Sequence, residues 1–219
     1  GTACPPEPGA PERWARCGSL GELSSFSFYA NKLVTTGEGG MVLTDDDVLA
    51  GRLRELRNLG AQPQQRFVHE TLGHNFRLTN PQAALGIGQV GRMDEIVARK
   101  RRVAALYREG LAGVPGIELQ PVAPWARSVH WMFGLVLDDA VPFDARGLAE
   151  RLRAHGVETR PFFFGMHEQP ALRRLGLAGD ERLPVTERLA RRGLYLPSGL
   201  TLRDDQVERV CDAMRAVLG

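Results

Sequence analysis

The chain has 219 residues, 43% of them apolar and 25% charged, with a formal net charge of +2. That balance describes an ordinary globular protein and leaves no electrostatic footprint for nucleic acid or an anionic membrane surface. No apolar run is long enough to span a bilayer and the first residues lack a signal-peptide pattern, so a cytoplasmic protein is expected.

In chain order, residues 24–29 alternate small polar with aromatic side chains and predict a strand, and residues 40–44 predict a second one after a Gly-rich turn. Asp45 to Asp47 open a helix that carries Leu49, Leu53 and Leu56 and ends at Gly60. Residues 61–79 predict a loop. A long helix follows, capped by Asn80 with Pro81 at its first position, and interrupted near Gly86, Gly88 or Gly91. It closes at Gly113 to Gly116, where a domain boundary is placed, giving residues 1–112 and 113–219.

The second part alternates strands and helices. Strands are expected at 129–137, 157–161 and, as a short extended piece, 195–197. Helices are expected at 144–155, capped by Asp144, at 183–192, and at 202–218 with Asp204 and Asp205 in the first turn. The whole reads as mixed α/β. Cys4, Cys17 and Cys211 are few, odd in number and widely spaced, which fits reduced thiols better than a disulfide frame or a zinc site. No metal site is expected.

Of the 28 basic residues only Lys32 and Lys100 are lysines. Arginine is always charged and forms no imine, whereas lysine shifts its pKa readily and does. Lys100, inside Arg99-Lys100-Arg101-Arg102, reads as part of a solvated helix face. Lys32 lies in a mostly uncharged stretch, Ser25-Phe26-Ser27-Phe28-Tyr29-Ala30-Asn31-Lys32-Leu33-Val34-Thr35-Thr36-Gly37-Glu38-Gly39-Gly40-Met41. Here a strand delivers a lysine to its end and a Gly-rich loop follows. A partly desolvated lysine is neutral enough to attack a carbonyl. Ser27 and the loop donors suit a phosphate, and glycines let backbone approach a bulky ligand.

This segment resembles the cofactor-lysine signature of the DegT/DnrJ/EryC1/StrS family of sugar aminotransferases, which share the aspartate-aminotransferase-like α/β fold (fold type I) of pyridoxal-phosphate-dependent transferases. The resemblance implies part of the large cofactor-binding domain in 1–112 and the small C-terminal domain in 113–219. It implies Lys32 as the Schiff-base lysine and acid–base group, and Ser27 as a ligand of the pyridoxal 5'-phosphate. Gly73-His74-Asn75-Phe76-Arg77-Leu78-Thr79-Asn80 resembles a second family segment. Through it Asn75 is implied to reach the cofactor phosphate of the neighbouring subunit of a homodimer, and Arg77 to face substrate phosphate with its two-donor fork. Thr159-Arg160-Pro161-Phe162-Phe163-Phe164-Gly165-Met166-His167 resembles the corresponding stretch of perosamine-forming members, which act on a GDP-linked 4-keto-6-deoxy sugar. Arg160, His167 and, from an earlier loop, His69 are the substrate-lining candidates. The competing expectation for three consecutive phenylalanines is a packed core.

The resemblance covers nearly all of residues 17–219. A family member also carries upstream a phosphate-binding turn, an aromatic that stacks on the pyridine ring and an Asp for the ring nitrogen. Aligned without gaps, Ala3 falls where that Asp belongs, and Pro5, Pro6 and Pro8 do not suit the helix expected there, so residues 1–16 are atypical. The expected function is transamination of a nucleotide-linked keto-deoxysugar with glutamate as donor, the chain alone lacking the full catalytic set. The alternatives are a catalytically incomplete relative that keeps the fold and dimer surface, and a dehydratase, which would carry histidine in place of Lys32.

Overall fold

A computed structural model describes residues 14–61 and 67–219. Ala3 and the prolines after it lie outside the described residues. The chain forms two compact units, Gly1–Val97 with Ala123–Ser128, and Ala98–Val122 with Val129–Gly219.

In the first unit, β1 (Ser24–Ser27) pairs antiparallel with β2 (Gly40–Leu43), Ser24 opposite Leu43 and Ser27 opposite Gly40. α1 (Asp47–Arg57) starts where the Asp46 carboxylate accepts the Leu49 N–H at 2.8 Å. α2 (Asn80–Val90) is capped by Thr79, not Asn80. The reason is a capping box: Thr79 and Gln82 satisfy each other's orphan backbone donors, which an Asn80 cap would forgo. The expected break falls at Gly91, before α3 (Met93–Gly110).

The second unit is built on a four-stranded antiparallel sheet in the order β3 (Ile117–Leu119), β4 (Phe133–Leu137), β6 (Gly193–Leu196), β5 (Arg160–Pro161). β4 is buried along its whole length. The C-terminal part of α3, α4 (Ala145–Ala154) and α7 (Asp204–Leu218) contribute Tyr107, Leu111, Leu148, Leu152, Val207 and Met214 to one core with Phe133, Leu135 and Leu196. That is why this unit begins inside α3 and ahead of Gly113. α4 is capped by Asp144 as expected. The short α5 (Pro170–Arg174), a 3-10 turn (Met166–Glu168) and β3 have no counterpart in the sequence reading, and α6 (Pro184–Arg192) matches it. Arg192 fastens the end of α6 by donating to the carbonyls of Phe143 (2.9 Å), Val141 (3.1 Å) and Asp138.

Lys100 corrects an expectation. It is 5% exposed and its Nζ donates to the Ser198 carbonyl oxygen. Lys100, Val103, Ala104, Tyr107 and Leu111 share the inward face of α3, so the lysine stands on the core stripe while Arg101 and Arg102 take the solvated side. Tyr107 Oη donates to Pro197 O at 2.6 Å, and Arg99 reaches Asp204 at 2.8 Å, so α3 holds the whole 197–204 segment.

Burial pushes the Lys100 ammonium from 10.5 down to about 8. The folded state therefore carries a cost of about 3 kcal/mol below that pH, where both states are protonated. As pH rises from about 8 towards 10.5 the unfolded chain binds more protons than the folded one, so stability rises. Urea unfolding of the wild type and of Lys100→Met, taken as a difference, is expected to climb by up to about 1.4 kcal/mol per pH unit in that window. A flat difference would mean that the amine reaches water when folded.

Candidate active site

β1 ends at Ser27, whose Oγ accepts the Tyr29 N–H at 3.3 Å, and the chain turns as Lys32 N–H donates to Tyr29 O at 2.9 Å. Lys32 is half-buried on this turn. The segment after it is closed back on Phe28: the Thr36 N–H (2.9 Å) and the Thr35 hydroxyl (3.0 Å) both donate to Phe28 O, and the Phe28 N–H donates to Gly39 O at 2.8 Å. Thr35 Oγ1 also accepts the Gly37 N–H at 2.9 Å, and Thr36 Oγ1 donates to Glu38 O at 2.7 Å. Val34 and Thr36 are buried. Gly37 sits at φ +80°, a turn that a side chain would strain. The lysine thus precedes a short, fixed, buried stretch.

α2 lies on that stretch. A Cβ at Gly86 would come within 3.1 Å of Thr36 Cγ2, so the missing side chain sets how closely helix and loop approach. Gln82 and Gln89 of α2 hydrogen-bond the loop backbone at Glu38 and Thr35. The sequence reading gave these glutamines no role.

The segment holding Asn75 and Arg77 is anchored by its backbone to the end of α1. His74 N–H donates to Leu56 O (2.6 Å), Leu59 N–H to His74 O (3.0 Å) and Phe76 N–H to Arg57 O (3.0 Å). Arg77 Nε donates to Asn75 Oδ1 at 3.3 Å, and both side chains are exposed. His69 is exposed, with Nδ1 2.9 Å from Leu59 O, an acceptor to which that ring nitrogen donates.

Arg160 and His167 belong to the second unit. Arg160 is exposed on β5, opposite Tyr195. His167 is 6% exposed, with Nε2 3.2 Å from Glu187 Oε1, which also accepts the Leu183 N–H at 3.0 Å. The Leu183 amide, then the His167 ring, hold the Glu187 carboxyl below the usual range. The packed-core expectation for the phenylalanine run holds only for Phe162, whose ring fills the slots left by Gly134 and Gly193 beside Tyr195. Phe163 and Phe164 are 76% and 56% exposed. Among the described residues no group of three or more His, Cys, Asp or Glu is placed to hold a metal, and no helix is long and apolar enough to cross a membrane.

The donor set beside the turn fits a cofactor that ends in an aldehyde and a phosphate. Lys32 offers a half-buried amine and Ser27, at the end of β1, a hydroxyl. A mixed α/β fold with such a lysine just beyond a strand is that of the fold type I transferases. Residues 9–215 match the DegT/DnrJ/EryC1/StrS aminotransferase family, and the chain belongs to it. It is 39% identical over 211 residues to a GDP-perosamine synthase of Caulobacter vibrioides, covering 96% of this chain and 56% of that protein. A GDP-perosamine synthase of Vibrio cholerae is 34% identical over 200 residues, covering 91% of this chain and 54% of that protein. The crystal structure of S. venezuelae DesV superposes with a TM-score of 0.82 at 37% identity, over 93% of this chain and 53% of that one. The chain spans about half the length of the relatives it matches.

The contact at Gly86 can be tested against Gly88, where an added Cβ meets nothing within 4 Å. Gly88→Ala is expected to be neutral or stabilising by up to about 1 kcal/mol through helix propensity. Gly86→Val is expected to destabilise by about 1–3 kcal/mol through overpacking. Equal urea midpoints for the two variants would show that α2 is not seated on Thr36.

Proposed function

We propose that the protein transfers an amino group to a nucleotide-linked keto-deoxysugar, with pyridoxal 5'-phosphate carried on Lys32. The observation that carries this reading is the half-buried Lys32 on a turn whose following residues are fixed by their own hydroxyls and by α2. When bound, pyridoxal phosphate supplies the aldehyde that receives nitrogen and the electron sink that eases proton loss from the neighbouring carbon.

Lys32 then does two things: it holds the cofactor, and its released amine moves a proton to and from the substrate carbon. Ser27 Oγ donates to the cofactor phosphate. The Arg77 guanidinium takes the Asn75 carbonyl oxygen, which turns the amide NH2 of Asn75 outward as a phosphate donor. Arg77 itself offers its remaining N–H groups to substrate phosphate, and His69 Nε2 faces substrate. Arg160 lines the sugar-nucleotide side. His167, buried on Glu187 in the Met166–Glu168 turn, is kept with Arg160 as a candidate for that side.

The finer reading is a GDP-linked 4-keto-6-deoxyhexose as acceptor and glutamate as donor, in the cytoplasm. It follows the two GDP-perosamine synthases and the Arg160–His167 stretch. The first unit is assigned to the large domain and the second, which takes in the C-terminal part of α3, to the small one. Asn75 is assigned to the active site of a second copy, which makes the working unit a homodimer with a twofold, self-complementary interface.

The cofactor assignment is tested by adding pyridoxal phosphate and borohydride to the full-length protein and mapping the reduced adduct. The label is expected on the peptide containing Lys32, and a label on the Lys100 peptide would overturn the assignment. The shared site is tested by complementation: Lys32→Ala and Asn75→Asp, each strongly impaired alone, should regain about a quarter of wild-type activity when their subunits are mixed, because half the dimers are hybrids with one intact site. No recovery, in mixtures shown to exchange subunits, rejects a site built across two copies.

A further inference from the structure

Gln82, Gly86 and Gln89 are spaced four and three residues apart and lie on one face of α2. All three meet the loop that follows Lys32. Gln89 Oε1 accepts the Thr35 N–H at 3.1 Å, and Gln89 Nε2 donates to Thr35 O at 2.7 Å and to Leu85 O at 2.8 Å. One carboxamide thus satisfies both backbone groups of a single residue, as a neighbouring strand would. Gln82 Nε2 donates to Glu38 O at 3.1 Å, while its Oε1 accepts the Thr79 N–H (3.1 Å) and the Thr79 hydroxyl (2.8 Å). The helix cap and the loop are therefore held by one side chain. Gly86 lets Thr36 approach between the two.

We propose that Gln89, assisted by Gln82, is a positioning residue for Lys32. Its carboxamide fixes the Thr35 backbone and so presents the amine three residues earlier in one orientation. The proposal rests on the reading of Lys32 as the cofactor lysine. Glutamine suits the task because Thr35 offers one donor and one acceptor, and only a neutral amide answers both. Glutamate accepts but does not donate, and leucine does neither. A flexible lysine gains from such a fixed base, since small misplacements of a reacting group lower rates by large factors.

The test uses Gln89→Leu and Gln89→Glu in the full-length protein. Hydrogen exchange at the Thr35 amide is expected to quicken by about 10-fold or more in Gln89→Leu, with the amides of α1 unchanged. The pH midpoint of the bound-cofactor absorbance is expected to move. The turnover number kcat should fall by about 10-fold or more, while KM for the nucleotide sugar stays within about 2-fold. Gln89→Glu, which keeps the acceptor for the Thr35 N–H, should recover part of the slow exchange and part of the rate. Unchanged Thr35 exchange overturns the clamp. Faster exchange with wild-type absorbance midpoint and kcat overturns the positioning role and leaves Gln89 merely structural. A wild-type protein that takes no borohydride label on Lys32 overturns the cofactor reading, and the catalytic half of this proposal with it, while Thr35 exchange still decides the clamp by itself.

Discussion

A buried backbone amide and carbonyl must find partners, and in the loop between β1 and β2 side chains supply many of them. Gln89 takes both groups of Thr35, the Thr35 hydroxyl takes one lone pair of Phe28 O, and Gln82 takes Glu38 O. Lys32 stands on the shape those bonds impose. The helix that carries the glutamines exists in this register because Thr79 and Gln82 form its cap. It approaches the loop because position 86 has no side chain. Cap, helix, clamp and lysine are consecutive links, and the Asn75–Arg77 pair precedes the cap by a few residues, so one short stretch of chain ties both sets of candidate ligands to α2.

The elements most legible in the sequence are those whose signal is local. The alternation in residues 24–29, the Asp46 region and Asp144 caps, and the apolar stripes of α4, α6 and α7 all announce themselves within one segment. Asn80-Pro81 is a good helix start by itself, and only the reciprocal bond from Gln82 places the cap of α2 at Thr79. β3 is three residues long, too short for any periodicity, and of the strand expected at 157–161 only Arg160–Pro161 pairs. What makes them strands is pairing with β4 and β6, and that partner choice is written far away in the chain.

The site divides in the same way. Lys32, Ser27, Asn75 and Arg77 lie in motifs that a family resemblance marks, and the surroundings of Lys32 do not. Gln89 reaches Thr35 across 54 positions, and nothing about a glutamine on a helix says which backbone it will meet. The phenylalanine run shows the same limit. Phe162 is packed because glycines at 134 and 193, on β4 and β6, leave room for its ring, whereas Phe163 and Phe164 have no such slot and stay exposed. Three identical residues in a row receive different environments from partners that their own neighbours do not encode.

The two lysines bring composition and structure together. Nearly every basic position in this chain is arginine, so each of its two lysines raises the question of how arginine would fail there. At Lys100 the failure is one of charge. A guanidinium stays ionised at every accessible pH and carries five donors, and a site that is 5% exposed, with the Ser198 carbonyl oxygen for the head group to meet, would leave it poorly compensated. An amine there is driven towards its neutral form instead. On the proposed reading the failure at Lys32 is one of bonding, since a primary amine joins an aldehyde and a guanidinium under the same conditions does not. The run Arg99-Lys100-Arg101-Arg102 therefore hid a core residue among surface charges. The scarcity of lysine sets Lys100 apart as much as Lys32. Burial accounts for it there, since Lys100 stands on the core stripe of α3 with its amine on the Ser198 carbonyl oxygen.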